Sequence, residues 1–213
     1  LKKHGNEVED LGMKDEKNTD ENRLGEKTQN KEDHKKSLER LLYPFKIIYS
    51  FESKKKIGKV IDEMQPDVIH LNNINFQLTP SIIDAAKKRH VPVVWTLHDY
   101  QLICPGHLLY NNDRNCVCEK CIGRGKFACI KDKCIHSSKI KSILGVIEAK
   151  FYKIKGTYKK VDRFIAPSNF LYSKLVADNR PLFENRTTVI HNFVNKKSLP
   201  EKVKNNFGFP YIA

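Results

Sequence analysis

Val93-Val94-Trp95-Thr96-Leu97-His98-Asp99-Tyr100 is the stretch that decides the fold. An apolar, β-branched run breaks off at a histidine and an aspartate. A continuous apolar run of this length reads as a strand buried on both faces, as in a parallel sheet. In open α/β sheets ligands bind beyond the carboxyl ends of the strands, which is where His98 and Asp99 fall. Taken alone, a His-Asp pair there is an ordinary polar strand exit. A group that titrates near neutrality beside a carboxylate is also a candidate for chemistry.

The neighbouring sequence repeats the pattern. Asp67-Val68-Ile69-His70-Leu71 is a second short strand, running into Asn72 and Asn73. Thr79 is the expected N-cap of a helix with Pro80 at its first position. Ile82, Ile83 and Ala86 supply that helix with an apolar face, and Val91-Pro92 ends it. One βαβ unit results, and a right-handed crossover makes its strands parallel. Arg163-Phe164-Ile165-Ala166 is a further strand, followed by Pro167 and a helix capped by Ser168. Thr187-Thr188-Val189-Ile190 is the last, ending in His191-Asn192. Strands are therefore predicted near Val68–Leu71, Val93–Leu97, Phe164–Ala166 and Thr188–Ile190. Strand and helix in alternation predict an α/β, Rossmann-like, doubly wound parallel sheet.

In this order the landmarks resemble the N-terminal, acceptor-side domain of glycosyltransferase family 4, retaining enzymes of the GT-B type with two Rossmann-like domains. Leu1-Lys2-Lys3-His4-Gly5-Asn6-Glu7-Val8 is similar to the end of that family's first helix and its second strand. Pro66-Asp67-Val68-Ile69-His70 resembles its third-strand motif, and Thr96-Leu97-His98-Asp99-Tyr100 its catalytic-edge motif. Ala166-Pro167-Ser168 and Val189-Ile190-His191-Asn192 resemble two late landmarks. One subgroup also has Cys-Pro after the His-Asp and then a cysteine-rich insert, as Cys104-Pro105 does here.

The resemblance implies a partial domain over residues 1–206, with a charged loop at 9–37 and a Cys-rich insert at 104–136. The family's first strand and Gly-rich loop would precede Leu1. Residues 207–213, ending Phe209-Pro210-Tyr211-Ile212-Ala213, look like the opening strand of the nucleotide-sugar-binding domain. The expectation is a fragment, inactive alone, of an enzyme that transfers a sugar from a nucleotide-sugar to a glycan or lipid-linked acceptor with retention of configuration. Cell-surface polysaccharide synthesis is the expected setting. His98 would sit over the reacting sugar, and Asp99 would orient it or bind the acceptor hydroxyl. Asn72, Asn73 and Asn192 would line the cleft. No divalent metal is needed for transfer in this fold.

Lys and Arg total 39 against 25 Asp and Glu, a formal charge of +14. Such an excess attracts nucleic acid or an anionic membrane surface, though dispersed lysines are more simply solvated faces. No nucleic-acid-binding motif accompanies it, so no specific nucleic acid is expected. No apolar run is long enough to span a bilayer. A cytoplasmic protein, peripheral on the inner face of the plasma membrane, is expected. Residues from Glu9 to Lys36 have too few apolar positions to fold. Helical spacing returns with Leu41, Leu42 and Phe45 and runs on to Met64, with a break at Pro44. Tyr43, Phe45, Tyr49 and Phe51, beside lysines, could touch a membrane.

Six cysteines are the second signal. Cys118-x2-Cys121 with Cys129-x4-Cys134 has the spacing of a tetrahedral zinc site, leaving Cys104 and Cys116 over and His136 as a substitute ligand. A zinc staple would order a polar, glycine-containing loop that burial alone cannot hold. It also suggests an alternative, a zinc-stapled basic nucleic-acid-binding protein, which leaves the strand-end motifs unexplained.

Overall fold

The computed structural model describes residues 5–11, 48–74 and 78–193. Leu1–His4, the greater part of the 9–37 loop, the expected helical positions Leu41, Leu42 and Phe45, the break at Pro44, Tyr43 and the strand expected in 207–213 lie outside the described residues.

Among the described residues the chain order is α1 (Phe51–Met64), β1 (Ile69–Asn72), α2 (Ser81–Lys88), β2 (Val93–Thr96), β3 (Tyr110–Asn111), β4 (Cys116–Val117), α3 (Ala128–Lys131), α4 (Lys139–Lys155), a 3-10 turn (Thr157–Lys160), β5 (Arg163–Ala166), α5 (Asn169–Phe183) and β6 (Thr187–Val189). Four strands form one sheet in the order β1-β2-β5-β6. Every pairing in it is parallel: Asn72 lies opposite Thr96, Trp95 opposite Phe164, and Ala166 opposite Val189. The α/β architecture and parallel sheet are those expected, with bounds shifted by one residue at most places. The described strands succeed one another in chain order without reversal. Right-handed crossovers then stack the intervening helices on one face.

Burial follows that geometry. Leu71, Val93, Trp95, Phe164 and Ala166 point to the helical face, and each is at most 4% exposed. Ile82, Ile83 and Ala86 of α2 meet them in one core with Ile57 and Ile61 of α1. The alternate residues His70, Asn72 and Arg163 are exposed, and Val94, Thr96 and Ile165 half-buried. Side chains alternate along a strand, so one run of sequence supplies both a core face and a polar face.

Local chemistry sets the element ends. Ser50 caps α1, its hydroxyl accepting from Ser53 N at 3.0 Å. Ser168 caps α5 as expected, accepting from Leu171 N at 3.2 Å. The α2 start differs: the helix begins at Ser81, with Pro80 rather than Thr79 at the cap. Thr79 is fully buried in a left-handed conformation, φ 53°. Its Oγ1 accepts from Ser50 N at 3.1 Å, and Ser81 Oγ donates to Ser50 O at 2.8 Å. Thr79 thus ties the starts of two helices together, a long-range role that local spacing cannot reveal. Residues 5–8, the described part of the stretch expected to end in the family's second strand, carry no strand pairing, and Leu11 packs on the core.

Asp162 anchors the start of β2, accepting from Val93 N at 2.7 Å and from Lys87 Nζ at 2.6 Å. Behind the sheet, Asp84 on α2 is buried and receives the Tyr49 hydroxyl at 2.9 Å together with Lys155 and Lys160.

Burial raises the Glu148 carboxyl of α4 to about 7 from an ordinary 4.5. The unfolded chain releases this proton near 4.5 while the folded chain keeps it to about 7, so stability falls as pH rises through that window and is level above it. Glu148→Gln should remove the slope and raise stability by about 3 kcal/mol at pH 8. Urea unfolding of both proteins at pH 5 and pH 8 checks this; equal slopes would show that Glu148 titrates normally.

Candidate active site

The carboxyl ends of four adjacent parallel strands define one edge of the sheet, and each carries polar residues. Asn72 and His70 lie on β1 two positions apart, hence on the same face. Thr96 ends β2 opposite Asn72, and His98 follows two residues later. Leu97 N still donates to Ile165 O at 2.9 Å, so the chain keeps its strand direction up to His98.

His98 is exposed, and its Nε2 lies 3.0 Å from Asn72 Oδ1. An amide oxygen only accepts, so Nε2 carries the proton and the neutral ring keeps its lone pair on Nδ1. A second ring lies beside the first: His70 Nε2 meets Thr96 Oγ1 at 2.7 Å. Burial first, and neighbouring His98 second, hold His70 below the usual histidine range. His70 is therefore neutral near pH 7, and it is the functional-edge residue that sequence reasoning passed over. Its signal was available, since it stands two positions before Asn72 on a strand already assigned.

Asp99 faces into its own loop. Its Oδ1 accepts from Gln101 N at 2.9 Å, and Oδ2 lies 3.6 Å from His107 Nδ1. Burial lowers the His107 pKa and the Asp99 carboxylate opposes that. Tyr100 N donates to His107 O at 3.1 Å, and Cys104 N to Tyr100 O at 2.7 Å. Asp99 thus organises the turn that launches the insert, while Asn72 is the residue in contact with the His98 ring. Asn73 is exposed and takes a left-handed conformation, φ 44°, directly after β1. Asn192 is exposed beyond β6. β6 itself lies two strand spacings from β2, about 10 Å. His191 beside Asn192 donates from Nδ1 to Pro167 O at 3.2 Å, linking the ends of β5 and β6. The Tyr100 ring meets Phe170 of α5 edge-on, centroids 6.5 Å apart, so the β2 exit packs on the helix that follows β5.

The Cys-rich insert runs from this edge to α4. Its hairpin pairs Tyr110 with Val117 and Asn111 with Cys116. Asp132, buried, binds Lys120 at 2.6 Å and Arg114 at 3.0 Å. Pro181 cannot donate to the Ala177 carbonyl one turn earlier, and α5 departs from helical geometry at Asn179. The insert docks there. Lys126 Nζ binds Asp178 at 2.5 Å and the carbonyls of Ile103 and Cys121 at 2.8 Å each. Gly123, φ +63°, approaches so closely that a Cβ would lie 3.1 Å from Ala177 O.

Cys121 and Cys129 are buried together with Val146, and Cys134 packs against them. Cys104 approaches the same group across Gly106, whose added Cβ would meet Cys134 Cβ at 3.5 Å and Cys104 Sγ at 3.9 Å. Cys118 is half-buried and Cys116 exposed. Burial raises Cys121 to about 11 and Cys129 to about 12, and the thiols raise one another. Spacing selected Cys118 and left Cys104 over; the fold adds Cys104 to the group. Among the described residues no set of three or more His, Cys, Asp or Glu side chains stands ready to hold a metal ion.

The chain thus forms a parallel α/β sheet with two histidines at its carboxyl edge and a long insert leaving that edge, which in open α/β sheets is the edge where ligands bind. The chain belongs to glycosyltransferase family 4, whose model, described as Glycosyltransferase Family 4, matches residues 1–198. It is also similar, at 32% identity over 75 residues, to a Klebsiella pneumoniae protein named "Uncharacterized 42.6 kDa protein in cps region". That match covers 35% of this chain and 20% of the relative. No solved structure matches it. Among the described residues no helix is long and apolar enough to cross a membrane.

Proposed function

We propose that this chain is the acceptor-side part of a retaining, nucleotide-sugar-dependent glycosyltransferase that extends a glycan or lipid-linked acceptor during cell-surface polysaccharide synthesis. The observation that carries the reading is His98, exposed at the carboxyl end of β2 with its ring bound by Asn72. Family membership makes the chemistry sugar transfer. A relative whose name places it in a cps region supports the setting. The donor would be held by a nucleotide-sugar-binding domain of the kind the family resemblance implies. Asn73 and Asn192 would line the cleft on either side, and Asp99 would shape the turn beneath the acceptor. The chemistry needs no metal, and the active enzyme would work in the cytoplasm at the inner face of the plasma membrane. The nucleic-acid-binding alternative gains no support from these observations. The test is transfer by the complete protein: radiolabelled sugar should pass from a nucleotide-sugar to an isolated membrane acceptor fraction with the donor's anomeric configuration preserved. An inverted product would remove the retaining mechanism.

Structural zinc at Cys118, Cys121, Cys129 and Cys134 is a separate proposal. The packing of Cys121, Cys129 and Cys134 together supports it, and the lack of a metal-ready set among the described residues and the raised thiol pKa values oppose it unless zinc draws in Cys118 and displaces the protons. Alkylation of the reduced protein at neutral pH, followed by mass mapping, distinguishes the two states. Burial alone protects Cys121 and Cys129 while Cys116 and Cys118 react. Zinc should extend protection to Cys118 and Cys134, reversed by chelator. A pattern unchanged by zinc would refute the staple.

A further inference from the structure

We propose that the outward face of α4 is a docking surface for an anionic lipid bilayer. Ile140, Ile147, Phe151 and Ile154 are 73%, 47%, 37% and 86% exposed. At 100° per residue these four positions fall within about 60° of arc, opposite the buried Ser142, Val146 and Tyr152. They make one straight apolar stripe about 21 Å long, from a rise of 1.5 Å per residue. It widens at its carboxyl end. Tyr49 stacks edge-on against both Phe151, centroids 5.8 Å apart, and Phe51 at 4.8 Å, and Phe51 is 77% exposed.

Lysines border the stripe. On the helical wheel Lys141 falls on one side of it, together with Lys155, whose Nζ is paired with Asp84; Lys139 falls on the other, together with Lys150, whose Nζ lies 3.7 Å from the Phe127 ring centroid. Lys155 and Lys54 also lie over the Tyr49 ring, at 4.5 and 5.7 Å from its centroid. Glu148 is the one acid in the helix. Apolar side chains in a basic frame on a helix that is not long enough to span are the pattern of an interfacial helix, whose ring and aliphatic groups enter the headgroup boundary while lysines meet lipid phosphates.

Charge selects the occupant. A second copy laid on the same face would set lysine rows against lysine rows, which is repulsive, whereas an anionic bilayer neutralises both rows at once. The sequence pointed to the aromatics near Tyr49 and Phe51 as a membrane contact. The fold moves the centre of that surface to a helix about a hundred residues further on.

Topology gives docking a consequence. α4 follows the Cys-rich insert, and in its first half Gly145 lies against Pro105 of the turn after His98, where an added Cβ would meet Pro105 O at 3.4 Å. Its amino end, with Ile140, therefore lies towards the edge that holds His98. A lipid-linked acceptor in the same bilayer would approach the cleft from that end. This consequence rests on the proposed function; the docking itself does not.

Co-sedimentation of the 213-residue chain with vesicles tests it. The chain should sediment with phosphatidylcholine vesicles containing phosphatidylglycerol, remain in solution with phosphatidylcholine alone, and be released by high salt. The exposed double substitution Ile147→Glu/Ile154→Glu should lower partitioning roughly tenfold or more, since it removes two buried aliphatic side chains and adds like charge to the lipid. Circular dichroism should be unchanged. A Lys141→Glu/Lys150→Glu variant should weaken binding and its salt dependence together. No binding of the unsubstituted chain to anionic vesicles would overturn the proposal, as would equal binding by the Ile147/Ile154 variant. A dimer that the same variant makes monomeric, with no vesicle binding, would instead assign the stripe to contact between copies. Vesicle binding is read without sugar transfer, so its failure leaves the glycosyltransferase reading standing, and loss of transfer leaves docking standing.

Discussion

His98→Ala in the complete glycosyltransferase should lower transfer roughly a hundredfold or more at saturating donor and acceptor, the scale lost with one positioned hydrogen-bonding group at a reacting centre. The chain should still fold, because His98 is exposed and takes no part in the core. The ring is usable because Asn72 Oδ1 fixes its Nε2 proton at 3.0 Å, leaving Nδ1 as an acceptor that can turn towards the sugar. Asn72→Ala should then cost less, about tenfold, because the ring is present but no longer held. Steady-state transfer by the two variants, with thermal unfolding as the control, decides the matter. Wild-type turnover by the His98 variant would make His98 a bystander. Equal losses for both would shift the weight from the ring to its positioning.

Trp95→Ala should destabilise the domain by about 3–5 kcal/mol, the cost of deleting a large buried ring. Trp95 is 1% exposed on the central strand, with Tyr158 and Phe164 centroids 6.0 and 6.4 Å away. Against the ~5–15 kcal/mol total stability of an ordinary domain, that loss approaches the threshold for unfolding. Trp95→Phe fills most of the space and should cost much less. Trp95 is the chain's one tryptophan, so the variants are compared by circular dichroism in urea. A loss below about 1 kcal/mol for the alanine variant would mean that this side of the sheet is loosely packed. Trp95 and His98 lie three residues apart, so one strand carries both the largest stability effect and the largest effect on transfer.

The fold was largely legible in the sequence. The strand positions, their parallel sense and the Ser168 cap follow from apolar runs, a βαβ spacing and a serine before a helix, all local signals. The candidate site was legible as far as its edge. His98 and Asn72 were each placed at a strand end, and the parallel register brings them into contact.

What stayed hidden depended on distance along the chain. Thr79 is buried between two helix starts rather than capping one, because its partner Ser50 lies 29 residues away. Asp99 turns to His107, His70 to Thr96, and Cys104 joins Cys121, Cys129 and Cys134 although spacing set it apart. The insert is held by Lys126 reaching Asp178 across 52 residues, at a helix kink with a proline one turn past the exposed carbonyl. The outward stripe of α4 is the sharpest case. Ile140, Ile147, Phe151 and Ile154 have helical spacing, which by itself does not tell a core face from a surface stripe. Only the packing of Ser142, Val146 and Tyr152 on the opposite side turns them out to solvent. Apolar period and turn chemistry therefore determined which segments are strands and helices. Which face of each is buried, and which polar groups meet, was decided by tertiary contacts whose free energy depends on partners the local sequence does not contain.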